Sequence, residues 1–134
     1  MLYNIKTGYA GIRKRGNEEI VILASSLHTL REQNVQFLFT DRHAYLAAAQ
    51  FYSSLDKLDQ IDWCILQNRD FKRNPDDPGK FERYQAEALV YEHLPISSLL
   101  GIVCYNDSVE SSLKADLAKR RLTVQIAIKP QWYF

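Results

Sequence analysis

The feature that most constrains this chain is the run Pro75-Asp76-Asp77-Pro78-Gly79 near its middle. Each proline lacks a backbone donor and pushes the residue before it towards extended geometry. The aspartate and glycine residues beside the prolines favour turns. Neither a helix interior nor a central strand can continue through such a run. The stretch from residue 66 to residue 91 is therefore predicted to be a long polar loop that reaches out and returns into an apolar strand.

The same stretch is dense in charge, and aromatic side chains are interleaved with its basic residues. Arginine and lysine neutralise phosphates and aromatic rings stack on unpaired bases, so the pattern indicates an interface for single-stranded nucleic acid. A solvated loop with its aromatic rings turned inward is the alternative that the pattern leaves open. The candidate DNA-binding residues are Arg69, Phe71, Lys72, Arg73, Lys80, Arg83 and Tyr84.

A single carboxylate, Glu87, interrupts the apolar run of residues 86–90 where the loop enters the predicted strand. An acid that enters a packed element costs free energy unless it has a partner or a task. Glu87 is therefore a candidate functional residue. A glutamate held in a salt bridge or exposed at the rim is the alternative.

Hydrophobic periodicity and capping signals predict an α+β protein in which strands dominate the core. Short apolar runs predict strands at residues 19–24, 36–40, 85–91, 100–104 and 123–128, arranged as one sheet or two packed sheets. Capped segments predict helices at residues 27–33, 42–52 and 108–121. We further expect Tyr3 and Ile5 to begin a short strand and Trp63 to pack in the core. The length of 134 residues fits a single domain spanning residues 1–134.

Arg42 and His43 follow a predicted strand at the start of a predicted helix, which is a frequent location for functional residues. A structural hydrogen-bonding role for His43 is the alternative. The two cysteines, Cys64 and Cys104, lie in apolar runs and are predicted to be buried, reduced thiols, which suits a cytoplasmic location. The chain contains no apolar run of about 20 residues, so no membrane segment is expected.

Composition and motif content argue against several classes of protein. A net charge of +1 gives no general attraction to polyanions, so DNA binding must depend on local patches. There is no phosphate-binding loop, GxGxxG, CxxC or HExxH motif, and neither cysteine has an evident basic neighbour. A metal-dependent nuclease could use Asp76 or Asp77 with Glu87, but no Glu-x-Lys triplet follows. We therefore expect no metal.

Several long motifs resemble those of one protein family. They are Phe39-Thr40-Asp41-Arg42-His43-Ala44, Gln60-Ile61-Asp62-Trp63, Arg69-Asp70-Phe71, Asp77-Pro78-Gly79-Lys80-Phe81-Glu82-Arg83-Tyr84-Gln85-Ala86-Glu87 and Trp132-Tyr133-Phe134. Through these motifs, nearly the whole chain resembles the DarT family of bacterial DNA ADP-ribosyltransferase toxins. The resemblance implies an ADP-ribosyltransferase-like β core with flanking helices. It also implies transfer of ADP-ribose from the co-substrate NAD to a base of single-stranded DNA. Relatives use thymine or guanine, and this chain looks more like the thymine type.

The resemblance implies roles for individual residues. Glu87 matches the catalytic glutamate of the family, and the segment before it corresponds to the substrate-reading loop. Arg42 and His43 are candidates for contacts with the phosphates of NAD or with the DNA backbone. The expected partner is a macrodomain antitoxin that removes the mark. Family members carry a further N-terminal segment, so residues 1–134 are expected to match the C-terminal two thirds of the domain. A catalytically incomplete relative that binds single-stranded DNA or a partner is the alternative.

Overall fold

The computed structural model describes residues 2–133, which divide into two compact units. The first unit is formed by Met1–Ser26 and Pro95–Phe134, and the second by Leu27–Leu94. The strands are β1 (Ile22–Ala24), β2 (Phe37–Thr40), β3 (Phe51–Tyr52), β4 (Ala88–Val90), β5 (Gly101–Cys104) and β6 (Ile126–Ile128). The α-helices are α1 (Leu2–Thr7), α2 (Leu27–Glu32), α3 (Trp63–Gln67), α4 (Lys80–Arg83) and α5 (Asp107–Lys119). Short 3₁₀ helices cover Tyr9–Gly11, Asn17–Glu19, Leu55–Gln60, Ile96–Ser98 and Pro130–Trp132.

The first unit contains a three-stranded sheet in the order β1-β5-β6. The central strand β5 pairs antiparallel with β1 and parallel with β6. A parallel pair needs a crossover connection, which α5 supplies after Asn106 caps it by accepting a hydrogen bond from the Val109 amide. Ile102, Val103 and Cys104 on β5 are buried and form the core of this unit.

Tyr133 closes the core of the first unit and is 4% exposed. Its hydroxyl lies 2.9 Å from the Val103 carbonyl oxygen and 3.0 Å from that of Ile20, so its one hydrogen is shared between two acceptors. Its ring packs edge-on against Tyr105, with ring centroids 5.4 Å apart. Burial raises the pKa of the Tyr133 hydroxyl, so this group stays a donor across the ordinary pH range.

The second unit contains a three-stranded antiparallel sheet in the order β3-β2-β4. Phe39 on the central strand lies opposite Tyr52 on β3 and opposite Ala88 on β4. Phe39 is buried, as are Leu30 on α2 and Ile65 on α3. The helix α2 is followed by Asn34, whose positive φ of 56° places it in the left-handed region that favours a helix stop.

The predictions for strands 19–24, 36–40, 85–91, 100–104 and 123–128 are confirmed, although each observed strand is shorter. The predicted helices 27–33 and 108–121 are also confirmed. The helix predicted at residues 42–52 is wrong: the segment forms turns and ends in β3. Side chains capture the amides that a helix would use, since Asp41 accepts from Gln50 N at 2.9 Å and Glu87 from Ala44 N at 2.9 Å.

Three further expectations are wrong. Tyr3 and Ile5 lie in helix α1. The Lys6 ammonium of this helix donates a hydrogen bond to the Tyr133 carbonyl oxygen. Trp63 is 45% exposed at the start of α3, because its indole N–H reaches the Leu58 carbonyl oxygen at 2.7 Å. Cys64 is exposed in the same helix, whereas Cys104 is buried as predicted. Across residues 2–133, no helix has the length and apolar character needed to cross a membrane.

The shared hydroxyl of Tyr133 gives a stability prediction for the first unit. Tyr133→Phe keeps the ring but leaves the Ile20 and Val103 carbonyls without their donor, so it should lower the free energy of unfolding by about 1–2 kcal/mol. The measurement is chemical denaturation of both proteins. Tyr9→Phe, at an exposed ring, is the matched control and should change stability by less than about 0.5 kcal/mol. Equal effects would contradict the role assigned to Tyr133.

Candidate active site

Glu87 precedes β4, and its backbone is fixed by Thr40 at the end of β2. The Glu87 amide donates to Thr40 Oγ1 at 3.1 Å, and the Thr40 amide donates to the Glu87 carbonyl at 2.9 Å. Thr40 is fully buried, and its hydroxyl donates to the Arg42 carbonyl oxygen at 2.6 Å. One side chain therefore holds both the position before β4 and the segment that follows β2. The role of Thr40 was not predicted from the sequence, although a polar residue that ends the apolar run 37–39 is a usable signal.

The carboxylate of Glu87 is oriented by two donors on one oxygen. Oε1 accepts from the Ala44 amide at 2.9 Å and lies 2.6 Å from His43 Nδ1. An ionised carboxylate only accepts hydrogen bonds, so Nδ1 carries the proton, and in a neutral imidazole Nε2 keeps its lone pair. The Glu87 side chain is 34% exposed, and Oε2 has no hydrogen-bond partner within residues 2–133. The carboxylate is thus fixed in direction and open on one side.

Glu87 lines a cavity of about 220 Å³ in the second unit. The rest of the lining is almost entirely apolar and comes from β2, β4, α3 and neighbouring turns: Leu27, Phe39, Thr40, Leu58, Ile61, Trp63, Leu66, Ala86 and Ala88. A carboxylate beside apolar walls interacts strongly with a nearby positive charge, because little water screens it. Trp63 is therefore a lining residue of this cavity, where the sequence predicted a core residue.

A larger cavity of about 770 Å³ lies elsewhere in the second unit. Its walls come from residues 35–38, 53–54 and 89–91 together with Arg31. It contains none of the candidate residues, so size alone does not identify the functional site. The smaller cavity is the better candidate because it holds the oriented carboxylate.

Arg42 lies beside the site but is engaged in ion pairs. Its guanidinium donates to Asp41 Oδ2 from Nε and a terminal nitrogen, at 3.1 and 3.0 Å, and approaches Glu82 Oε2 at 3.6 Å. Partial burial would raise the pKa of Asp41, but the hydrogen bonds from Arg42 and from the Gln50 amide lower it below its usual value. Arg42 thus stabilises the ionised Asp41 that closes the turn of residues 41–50.

Two of the predicted DNA-binding cations are held in ion pairs with aspartates of the same unit. Lys80 is buried, and its ammonium lies 2.8 Å from Asp70 Oδ1. Arg83 donates to Asp62 Oδ2 at 3.0 Å and to both oxygens of Asp77, at 3.2 and 2.6 Å. These aspartates raise the pKa of Arg83, with Asp77 the larger cause. Both cations therefore hold the fold of the segment around residues 69–79, called the basic loop below.

The other candidates lie on or beside the basic loop and are more accessible. Arg69, Lys72 and Arg73 are exposed, and Phe71 is half exposed. Phe71 packs against Tyr84 with ring centroids 5.8 Å apart, and the Arg73 guanidinium lies 4.8 Å from the centre of the Phe81 ring. The structure therefore brings three cations and an exposed aromatic ring together in one loop. Among residues 2–133, no cluster of His, Cys, Asp and Glu could hold a metal ion.

Two small sheets, flanking helices and one oriented carboxylate define an α+β protein with Glu87 as its candidate catalytic acid. Comparison with known protein families identifies the family to which the chain belongs. The family model described as "ssDNA thymidine ADP-ribosyltransferase, DarT" matches residues 1–134. The chain therefore belongs to the DarT family.

Individual relatives agree with this assignment. The chain is 54% identical over 134 residues to a DNA ADP-ribosyl transferase of Escherichia coli O127:H6 (strain E2348/69 / EPEC). It is 34% identical over 138 residues to a DNA ADP-ribosyl transferase of Thermus sp. (strain 2.9). In both cases the match covers 100% of this chain but only 62% and 63% of the relative. The chain therefore spans less than two thirds of the length of these curated relatives.

Solved structures support the fold. The structure of Thermus sp. 2.9 DarT in complex with NAD⁺ aligns with a TM-score of 0.87 and 29% identity, covering 99% of this chain and 66% of that one. The same protein in complex with ADP-ribosylated ssDNA aligns with a TM-score of 0.85 and 31% identity, covering 99% and 63%. The predicted α+β, ADP-ribosyltransferase-like fold is confirmed by these similarities.

The ion pairs around the basic loop give a pH prediction. Hydrogen bonds from Lys80 and from Arg83 lower the pKa of Asp70 and of Asp77, respectively, below the usual 3.8. A carboxyl with a depressed pKa stabilises the folded state above its unfolded pKa and loses this effect as the pH falls through the folded pKa. The basic loop should therefore lose the stabilisation from these two ion pairs as the pH falls below 3.8. Carboxyl ¹³C NMR titration measures both groups, and Lys80→Met should move the Asp70 midpoint upward by more than that of Asp77, on which the Lys80 charge acts more weakly.

Proposed function

We propose that this protein transfers ADP-ribose from NAD to a thymine base of single-stranded DNA. The observation that carries the proposal is the Glu87 carboxylate, which is fixed through Oε1 and open at Oε2 beside an apolar cavity. Membership of a family described as acting on ssDNA thymidine supports the choice of acceptor. The site residues are inferred from geometry and motif, and each role below is part of the proposal.

The proposed chemistry needs one carboxylate near the ribose. Breaking the bond between nicotinamide and the ribose carbon builds positive charge on that carbon, and nicotinamide leaves as a neutral molecule with the bonding electrons. Glu87 stabilises the oxocarbenium-like state electrostatically, and Oε2 accepts a hydrogen bond from the 2′-hydroxyl. The ring nitrogen of thymine that carries a hydrogen then bonds to the ribose carbon and releases its proton. The products are ADP-ribosylated DNA, nicotinamide and one proton.

His43 supplies a group that can take part in the proton transfer. Because its Nδ1–H donates to Glu87, the ring is held in one orientation and Nε2 is available as an acceptor. Its imidazole therefore contacts the reacting end of NAD in this proposal. Arg42, the neighbour of His43 in the sequence, is proposed to contact NAD while it retains its pair with Asp41.

The cavity at Glu87 fits part of NAD. A volume of about 220 Å³ suits the nicotinamide ring and its apolar walls suit the ring faces. Ligand-binding clefts for larger molecules span roughly 300–1,000 Å³. The phosphates and the adenosine therefore extend outside this cavity in our proposal.

The basic loop is the proposed DNA-binding surface. Arg69, Lys72 and Arg73 face the phosphates, and Phe71 with Tyr84 offers a surface on which an unpaired base stacks. Direct DNA contact by Lys80 and Arg83 remains a prediction from the sequence alone, because aspartates hold both side chains in ion pairs. We further propose, from family membership, a role as the toxin of a toxin–antitoxin pair in the cytoplasm, with a macrodomain antitoxin as partner. Residues 1–134 are proposed to belong to one DarT-like domain.

One alternative is supported by a specific observation. The cavity at Glu87 is smaller than a dinucleotide. A protein that binds single-stranded DNA without consuming NAD would fit this observation. The two functions are distinguished by incubating the protein with NAD and a thymine-containing oligonucleotide, since only the transferase adds the mass of ADP-ribose.

Glu87→Gln tests the transferase. The change keeps the shape of the side chain but removes the charge that stabilises the oxocarbenium-like state, so the rate should fall by at least about a hundredfold. The measurement is mass spectrometry of the oligonucleotide after incubation with NAD. Glu32→Gln, on an exposed face of α2, is the control and should keep the parent rate. A Glu87→Gln protein that still modifies DNA at the parent rate rules out the assignment.

Replacing Arg69, Lys72 and Arg73 together by alanine tests the basic loop. Each phosphate contact on a single strand contributes about 0.7 to the slope of log affinity against log salt, so the triple variant should bind more weakly and with a slope smaller by about 2. Fluorescence anisotropy at several salt concentrations gives both values. The matched control replaces Lys119, Arg120 and Arg121 of the first unit, which removes the same charge. A similar loss in both variants would indicate a net-charge effect and exclude a local surface.

A further inference from the structure

Arg83 joins two segments of the second unit that are distant in sequence. One terminal nitrogen and Nε donate to Asp77 and Asp62 at 2.6 and 3.0 Å, and the second terminal nitrogen lies 3.2 Å from Asp77. Asp62 is itself the cap of α3, since its Oδ1 accepts from the Ile65 amide at 3.3 Å. Asp77 belongs to the turn that closes the basic loop. The guanidinium thus ties the end of that loop to the start of α3.

Gly79 is explained by the same guanidinium. Its backbone has φ −76° and ψ −11°, which any residue adopts, so conformational freedom does not require glycine there. A Cβ at this position would lie 3.1 Å from a terminal nitrogen of Arg83. That nitrogen donates one hydrogen bond to Asp77 Oδ1 at 3.2 Å, and moving it away would lengthen this bond. Glycine therefore provides the space that the Arg83 contacts need.

The charge balance argues against Arg83 as a phosphate contact. One guanidinium faces two carboxylates, so the group formed by Arg83, Asp62 and Asp77 carries a net charge of −1. A bidentate arginine–carboxylate pair has fixed geometry and is stronger than a neutral hydrogen bond. A phosphate would have to displace one of these carboxylates and approach the other. The arrangement suits a fixed structural contact beside the DNA-binding surface.

We propose that Arg83 is a positioning residue, which clamps Asp77 to Asp62 and so holds the basic loop in the shape that binds single-stranded DNA. This inference rests on the proposed function for the DNA-binding role of the loop. It assigns Arg83 a different role from the direct DNA contact that the sequence suggested. It also assigns a role in DNA binding to Asp77, an acidic residue that electrostatics alone would treat as repulsive.

Neighbouring aspartates provide the test. Asp76→Asn and Asp77→Asn each remove one negative charge from the same turn, but only Asp77 contacts Arg83. A charge effect alone would strengthen DNA binding in both variants. If the clamp exists, the two variants should differ in their affinity for a thymine-rich oligonucleotide. Asp76→Asn should bind as tightly as the parent protein or up to about threefold more tightly, whereas the affinity of Asp77→Asn should fall by at least about fivefold. Arg83→Lys keeps the charge but loses the fork, so it should weaken binding with an unchanged salt slope.

Hydrogen exchange tests whether the clamp exists, and DNA binding tests whether it positions the basic loop. Hydrogen exchange should speed up at the amides of residues 69–79 in Asp77→Asn and Arg83→Lys, and unchanged exchange there would overturn the clamp. Tighter binding by Asp77→Asn would overturn the positioning role and restore direct contact. If the parent protein binds no single-stranded DNA, the proposed function fails, and hydrogen exchange still decides whether the clamp exists. Thermal unfolding of each variant identifies a general loss of fold.

Discussion

The arrangement of the second unit depends on how the carboxylate of Glu87 is satisfied. An acid at the start of an apolar strand must find donors, and here they come from the Ala44 amide and from His43. Meeting that need draws the 41–50 segment across the end of β2 and prevents it from forming a helix. The same contacts fix the direction of the carboxylate and the tautomer of the imidazole. Local structure and candidate chemistry therefore have one physical origin.

Charge in the basic loop has two distinct uses. Lys80 and Arg83 are held by aspartates, so they define the shape of the loop, whereas Arg69, Lys72 and Arg73 remain accessible. The sequence shows only that all five cations are close together along the chain. The sequence does not show which of them form ion pairs. That depends on the folded loop, in which the turn at residues 74–79 brings Asp77 back towards Arg83.

Regular elements were predictable where local signals agreed with the tertiary structure. The apolar run at 100–104 and the capped segment at 108–121 are local features, and β5 and α5 confirm both predictions. The failures lie where distant groups compete with local preference. Ala47, Ala48 and Ala49 favour a helix, but the Gln50 amide donates to Asp41 and the Ala44 amide donates to Glu87, and the segment forms turns. Trp63 was expected inside, yet the Leu58 carbonyl holds its indole at the cavity wall. Glu87 itself was identified because its charge conflicts with the surrounding pattern.

The candidate site is contained in a segment that is inserted into the first unit. Residues of the first unit lie on both sides of Leu27–Leu94 in the sequence, and β1 pairs with β5 across that insertion. Ala24 and Gly101 are register partners, and the Leu100 amide donates to the Ala24 carbonyl at 2.8 Å. The sheet of the first unit therefore holds the two points where the chain leaves and returns close together, as is usual for inserted units. Glu87, His43, Thr40, the cavity and the basic loop all belong to the second unit, so every residue of the candidate site lies within residues 27–94 of the sequence.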